Sequence, residues 1–446
     1  MMTAKTVICP PDSVKGMTVL NRDAFNMKIL IPSLILPSEN TYNIRKKLKK
    51  SQVKLPNVKG VLDFPVDDEK HKTHKLFLLD PCRFSSLKDF DDHDLESLQR
   101  YGVDLKSFNF HELEMKYENW SANEILRAVL PDEIDNVSGF SIIGHIAHFN
   151  LKADAMKYKS LIGQVVLDKN STVKTVVNKL NTIDNEFRNF EMELLAGENN
   201  FIAQVKENGC TFEFDFSKVY WNSRLATEHQ RVVAFLSEGS VLYDIFAGVG
   251  PFAIPAAKKN ATVLANDLNP NSVESMKKNI PLNKIKSSIT CYNLDGRNFI
   301  KTILKPDLVS RWEHQKYTDT SSPIYIVMNL PAIAVQFLDV FPALCSDVDN
   351  SLRMSKWTSE PIVFCYCFSK SEAVTEDAKH QVTKVLGVPE EALPGLNVRH
   401  VRNVAPNKEM LCVNFTLSKD ILFGKVTRKS EHEENDEPES KRLKTS

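Results

Sequence analysis

The chain has 446 residues, is 42% hydrophobic and 26% charged, and carries a formal net charge of zero, the balance of an ordinary soluble protein of two or three domains. Zero net charge neither advertises nor excludes a nucleic-acid partner, so any phosphate-binding surface has to come from local segregation of cations. Eight scattered cysteines without a C-x-x-C pair argue for reduced thiols inside a cell and against a disulfide scaffold.

Residues 1–115 mix short apolar runs such as Leu76 to Leu79 with charge clusters at Asp67 to Glu69 and Asp89 to Glu96, and read as a small α/β module. Within it, Arg45 to Lys50, followed by Lys54 and Lys59, reads equally as a phosphate-binding surface or a solvated basic face. Asn119 to Val129 is helix-like, Pro131 ends it, and Ser138 to Leu151 begins a new module. Apolar or alternating segments at Gly163 to Leu167, Thr172 to Lys179, Glu191 to Ala196, Phe201 to Glu207 and Cys210 to Asp215 predict a mainly β middle domain over 116–216.

From 217 to 418 strands alternate with helices. The strand candidates are Val241 to Ile245, Thr262 to Asn266, Ile289 to Leu294, Ile324 to Asn329 and Ile362 to Phe368; Pro270 to Asn279 and Ala332 to Leu344 read as helices between them. Such alternation implies right-handed crossovers and a parallel sheet. Val398 to Val404 and Met410 to Leu417 read instead as a closing antiparallel pair, and polar Glu313 to Ser322 as an inserted loop. The tail, 419–446, is expected to be disordered; its basic end, Ser440 to Lys444, reads as a nuclear address or as a charged tail without that role. Met1 to Leu20 has neither a secretory apolar region nor an arginine-rich amphipathic helix, and the longest apolar stretch, Ile324 to Leu344, contains Asn329, Gln336, Asp339 and two prolines. No membrane segment is expected.

The chemistry begins at Asp244-Ile-Phe-Ala-Gly-Val-Gly250. Gly248 and Gly250 can take positive φ and let a ligand lie against bare backbone, while Asp244 brings acceptor oxygens to a strand end. Ligands of an open parallel sheet bind beyond its carboxyl ends, and three more strand ends carry polar residues: Asp267 followed by Leu268, Asp295 followed by Gly296, and Asn329 within Asn-Leu-Pro331. Asp267 suits ribose hydroxyls and Asp295 an adenine amino group. Each alone is equally a helix cap or turn residue; four in register are hard to ascribe to capping.

That succession resembles the S-adenosylmethionine-dependent methyltransferase fold more than a dehydrogenase. Val219 to Arg231, together with Gly144 to His148, Glu207-Asn-Gly209, Asp244 to Phe252, Asn329-Leu-Pro331 and Val404-Ala-Pro-Asn407, resembles the archaeal and eukaryotic tRNA (guanine-N1)-methyltransferases that modify position 37. The resemblance spans about 115–418. It implies an α/β, class I, Rossmann-like domain whose seven-stranded sheet is mostly parallel with an antiparallel closing strand, preceded by two smaller α+β tRNA-binding domains. It further implies S-adenosylmethionine as cofactor, tRNA as partner, a monomer, and a distribution among cytoplasm, nucleus and mitochondrial matrix.

The family resemblance also assigns roles. Neutral guanine holds a proton on N1, so methylation there needs a base and a donor to stabilise charge on O6. Glu228 matches the family's base, Arg188 its O6-contacting arginine, Tyr220 a tyrosine near the flipped base, Asn329 the residue that orients the acceptor, and His229 a position approaching the cofactor. Arg224, four residues before Glu228, is placed to hold its carboxylate or a tRNA phosphate; the same spacing is that of an ordinary surface ion pair. His145 and His148 sit at i,i+3 without further ligands nearby, so they read as structural and no metal is expected. Two rivals remain: the sibling enzyme that transfers the aminocarboxypropyl group of the same cofactor, and a non-catalytic tRNA-binding protein.

Overall fold

The structure is a computed structural model, and the residues described are 8–134, 137, 139–180, 191–286, 289–318, 322–355 and 359–426. It divides into two compact units: Met1–Leu180 with Met192–Asn200, and Asn181–Glu191 with Phe201–Ser446. Three modules and a tail were the expectation.

The first unit contains two sheets. β1 (Met27–Pro37), α1 (Thr41–Lys47), β2 (Val61–Asp63), β3 (His74–Leu78), α2 (Asp92–Arg100) and β4 (Asn109–Met115) build an antiparallel sheet of order β2-β3-β1-β4. Ile44 and Leu48 bury one side of α1, leaving Arg45, Lys46, Lys47, Lys49 and Lys50 exposed. α3 (Ala122–Val129), β5 (Ser141–Ile143), β6 (Ile146–Phe149), α4 (Lys159–Lys169), β7 (Thr175–Lys179) and β8 (Met192–Gly197) follow, with strand order β5-β6-β7-β8. α3 starts on a capping box, Ser121 Oγ accepting from Glu124 N while Glu124 accepts from Ser121 N.

Residue 115 is not a core boundary. Trp120, fully buried, donates Nε1–H to the Phe25 carbonyl at 3.3 Å, and the rings of Phe25 and Tyr117 meet edge to face at 5.5 Å. Val14, Phe25 and Met115 share one core with Ala147, Tyr158 and Ile162. Gly163 to Leu167, expected as a strand segment, lies inside α4. Its neighbours explain why: Leu161, Ile162, Val165 and Val166 are all buried, a pairing at i,i+4 that only a helix brings to one face.

The second unit opens with the antiparallel hairpin β9 (Ile202–Glu207) and β10 (Cys210–Asp215). After α5 (Ala226–Phe235) come β11 (Val241–Asp244), α6 (Ala253–Lys258), β12 (Thr262–Asn266), α7 (Pro270–Leu282), β13 (Ile289–Tyr292), α8 (Gly296–Phe299), α9 (Lys305–Thr318), β14 (Ile324–Met328), β15 (Ile362–Ser369), β16 (Asn397–Ala405) and β17 (Lys408–Thr416). The sheet order is β13-β12-β11-β14-β15-β17-β16. The first five strands are mutually parallel, and β17 runs antiparallel to both its neighbours. All five residues of β14 and all four of β11 are buried, as apolar strands covered on both faces must be.

The hairpin joins this unit because α7 satisfies its free edge. Asn283 Oδ1 accepts from Thr211 N at 2.7 Å and Asn279 Oδ1 from Glu213 N at 2.8 Å. The unit therefore begins near 201, where 217 was expected. Two further expectations are corrected. Glu313 to Thr318 continues α9 where a loop was expected, 319–321 lying outside the described residues. The segment expected as a helix from Ala332 to Leu344 is a 3-10 turn over Ala334–Val340 that ends before Ala343, at φ 58°. Among the described residues no helix is long and apolar enough to cross a membrane. The tail expected to be disordered from 419 is corrected at its start, where Lys419–Leu422 form a short helix and Ile421, Leu422 and Phe423 are buried in the core; residues from 427 lie outside the described residues.

Candidate functional site

Because β13, β12, β11 and β14 are parallel neighbours, the four polar strand ends lie along one edge of the sheet in the spatial order Asp295, Asp267, Asp244, Asn329. Asn266 braces that edge. It is fully buried, donates Nδ2–H to the carbonyls of Ile245 (3.1 Å) and Leu294 (2.9 Å), and accepts from Leu294 N at 2.9 Å. One side chain thus ties the ends of β11, β12 and β13 together, and nothing in the sequence pattern singles it out.

A cavity of about 410 Å³ opens beyond these ends, lined among others by Tyr220, His229, Gly248, Asp267, Leu268, Asp295, Gly296 and Asn329. Its remaining wall is largely apolar, with Trp221, Phe246, Phe252 and Phe337, as ligand pockets with a few convergent polar groups are. Arg402 also lines it, a cation that sequence reading missed. Of the expected site residues, Asp244, Gly250, Glu228 and Arg224 are not on this wall. Arg188 lies outside the described residues.

The acids serve the protein as well as the space in front of them. Asp267 accepts from Gly248 N at 2.8 Å and from Asn269 N at 2.9 Å, pinning the glycine turn. Burial raises its pKa, and those two N–H groups pull it back. Asp295 caps α8, accepting from Arg297 N and Asn298 N. Asp244 differs. It is fully buried and neither carboxylate oxygen has a partner among the described residues; burial, and then the charge of Asp267, hold its pKa well above the usual carboxylate range. Asn329 Oδ1 is likewise buried and unpaired. Orphaned acceptors of this kind await a donor that the described residues do not supply.

The two glycines differ in kind. Gly248 sits at φ +55° and a Cβ there would meet nothing within 4 Å, so the bare backbone faces open space. Gly250, at φ +98°, would place a Cβ 2.7 Å from Ile254 Cγ1, so its bareness serves packing. Orphaned acceptors, open backbone and an apolar slot together fit an adenosine carrying a cationic end, the outline of S-adenosylmethionine.

Glu228 and His229 head α5 with separate partners. Arg231 donates to both oxygens of Glu228, at 2.8 and 2.6 Å, and Tyr366 Oη–H donates to Oε1 at 2.8 Å. Arg399 stands 3.7 Å away. These bonds raise the pKa of Arg231, and burial raises that of Tyr366 so far that it remains a donor. Arg224, expected to hold this carboxylate or a tRNA phosphate, does not hold the carboxylate. It lies in the 3-10 turn Ser223–Leu225, before α5 begins, so helical i,i+4 spacing does not apply; it is exposed and has no ion pair among the described residues. His229 is buried, its Nδ1 2.6 Å from Glu207 Oε1 and its ring edge-on to Phe252 at 4.7 Å. Tyr220 is 52% exposed at the cavity wall, with its hydroxyl accepting from Asn222 Nδ2 at 3.2 Å. His145 Nε2–H donates to the Asn200 carbonyl, 3.2 Å away, inside the first unit.

Comparison with known proteins agrees with this geometry. Residues 203–348 match the TRM5/TYW2 methyltransferase domain, and residues 122–200 the TYW2 N-terminal domain; the two matches meet where the compact units divide. The tRNA (guanine(37)-N(1))-methyltransferase of Xenopus tropicalis is 46% identical over 442 residues, covering 98% of this chain and 84% of the relative. The human enzyme of that name is 44% identical over 436 residues, covering 98% and 82%. The solved complex of aTrm5 and tRNALeu superposes with a TM-score of 0.56 at 23% identity, covering 87% of this chain and 99% of that one, a likeness of fold. At that identity over nearly its whole length, the chain belongs to the tRNA (guanine(37)-N(1))-methyltransferase family.

Proposed function

We propose that this chain transfers the methyl group of S-adenosylmethionine to N1 of guanosine 37 in tRNA. The observation that carries the reading is the full-length identity with enzymes of that name; the orphaned acceptors and open glycine backbone at the strand ends support the cofactor. The cofactor, when bound, supplies a methyl group made electrophilic by its sulfonium. Asp267 and Asp295 would hold its ribose and adenine, Leu268 and Gly296 would flank them, and Asp244 would answer its ammonium.

The remaining work falls to the protein. A stacked base cannot reach a buried slot, so guanosine 37 is flipped into the cavity, where exposed Tyr220 offers a stacking face at the wall. Asn329 Oδ1 is an acceptor for N–H groups of the base or of the cofactor. Glu228 takes the N1 proton. Arg231 and Tyr366 hold its carboxylate, and proton transfer requires it to exchange the bonds of Arg231 for guanine N1–H. Arg188 and Arg402 are the proposed donors toward O6. The exposed cations of α1 would meet tRNA phosphates, with salt-sensitive affinity.

The test is incubation with methyl-labelled cofactor and unmodified tRNA transcripts carrying guanosine or adenosine at position 37. Incorporation that depends on that guanosine supports the reading. Incorporation indifferent to it overturns the specificity, and transfer of the aminocarboxypropyl group selects the sibling reaction.

A further inference from the structure

Glu228 is buried and does not line the cavity, so its use depends on how the carboxylate is aimed. Its two oxygens have unequal surroundings. Among the described residues, Oε1 takes two donors, Arg231 Nη2 at 2.6 Å and Tyr366 Oη–H at 2.8 Å. Oε2 takes one, Arg231 Nε at 2.8 Å, and Arg399 Nε stands 3.7 Å from it. Arg399 is 52% exposed on β16, the edge strand, whereas Tyr366 is fully buried on β15, between β14 and β17. Oε1 is thus held from inside the sheet, and Oε2 lies toward its edge.

A β-bulge joins that edge to the cavity. Arg399 pairs with Cys412 and Arg402 with Met410, because the register between β16 and β17 shifts at Val401. Side chains alternate along a strand, so without the extra residue Arg402 would face the other side of the sheet. With it, both arginines share the face of Cys412 and Met410: Arg399 reaches Glu228, while Arg402 and Met410 line the cavity. A base held in the cavity therefore comes to Glu228 from the side of Oε2.

The two donors also differ in what holds them. Arg231 keeps other partners, Cys412 Sγ at 3.5 Å from Nη2 and the rings of Phe364 and Phe235 at 5.5 and 5.9 Å, so it can release the carboxylate and stay in place. Tyr366 carries its hydroxyl on a rigid ring, and burial keeps the proton on it. A protonated carboxyl still accepts through its other oxygen.

We propose that Tyr366 is a positioning residue that holds Oε1 of Glu228 throughout the reaction and leaves Oε2 to exchange Arg231 for guanine N1–H. The inference rests on the reading of Glu228 as the base. The proton passes from N1 to Oε2, the electron pair of the nitrogen forms the bond to the methyl carbon, and the carbon–sulfur pair stays on sulfur. Oε1 keeps its bond to the phenol in both charge states of the carboxyl.

The test is single-turnover methylation of a guanosine-37 transcript by the full chain at saturating cofactor and enzyme, with transcript and S-adenosylhomocysteine affinities measured separately. Tyr366→Phe removes only the hydroxyl. It lowers the saturated rate about ten- to a hundredfold, the worth of a hydrogen bond to a charged group, and leaves both affinities within about twofold. A tyrosine that served only the fold would lower the melting temperature and leave that rate unchanged. An unchanged or faster rate overturns the proposal, as does a loss of affinity equal to the loss of rate. Tyr366→4-aminophenylalanine keeps a donor at that place and retains most of the rate. If Tyr366→Phe fails to fold, this variant decides, since loss of the rate in a folded protein with that donor overturns the proposal. Glu228→Gln separates the two readings: at the native rate it shows that Glu228 is not the base, whereas a slow Glu228→Gln beside a native-rate Tyr366→Phe overturns the positioning role alone.

Discussion

Asp244 shows how much of this site is chemistry held in waiting. A carboxyl that is fully buried and unpaired has its folded pKa raised above the unfolded value. The sign follows: its contribution to stability is fully present below the ordinary carboxylate pKa and is lost as pH rises through the raised one. A ligand ammonium beside it restores the charged form. Affinity for S-adenosylhomocysteine should therefore increase with pH through the raised value, with a proton released on binding, and Asp244→Asn should abolish the dependence. Titration in buffers of different ionisation heat measures the proton; affinity independent of pH in the native chain would contradict the assignment. Glu228 tests a second point at this scale. Arg231→Ala leaves a buried carboxylate with only Tyr366 and the more distant Arg399, and should cost on the order of 3 kcal/mol in chemical denaturation. Arg224→Ala, at an exposed position without an ion pair among the described residues, should stay within about 0.5 kcal/mol. The reverse ranking would mean that the pairing expected from i,i+4 spacing was right. That expectation failed because it assumed a helix one turn longer than α5, whereas the partner three residues downstream was in the same segment all along.

At the scale of elements, the site was legible where chemistry and local structure coincide. Apolar runs marked β11 to β15, and three acids and an asparagine at the ends of β11 to β14 marked the edge, because a parallel sheet must present its carboxyl ends together. Asn266 was illegible as a site residue, since it acts through hydrogen bonds to parts of the chain 21 and 28 residues away. The glycine turn divides into two functions that the motif alone does not separate. Gly250→Ala drives a Cβ into Ile254, and should destabilise the fold by about 1–3 kcal/mol. Gly248→Ala has room in the protein but carries the strain of a left-handed φ, about 1–2 kcal/mol; it should destabilise less than Gly250→Ala, which adds a clash to that strain, while losing affinity for S-adenosylhomocysteine. Equal effects of the two on melting, with cofactor affinity intact for Gly248→Ala, would count against the turn as the cofactor's bed.

For the whole molecule, the sequence suggested modules ending at 115 and 216, and the structure groups residues by shared core. Phe25 packs on Tyr117 and bonds Trp120, contacts of long sequence separation that leave no local pattern to read. A fragment beginning at 116 strips Val14, Phe25 and Met115 from the core around Tyr158 and Ile162, and should lose cooperative unfolding of the first unit. A fragment beginning at 201 keeps β9, β10 and their asparagine partners on α7, and should unfold cooperatively and bind S-adenosylhomocysteine. Thermal scans of both decide between a shared core and separable modules. The central claim is broader than either unit: that this chain methylates one ring nitrogen of one nucleoside in tRNA. Nuclease digestion of a treated guanosine-37 transcript, followed by mass spectrometry of the anticodon fragment and its nucleosides, tests it most directly. The account predicts a single added methyl, at N1 of guanosine 37; a methyl on another nucleoside or another guanine atom, or no methyl with cofactor bound, would contradict it.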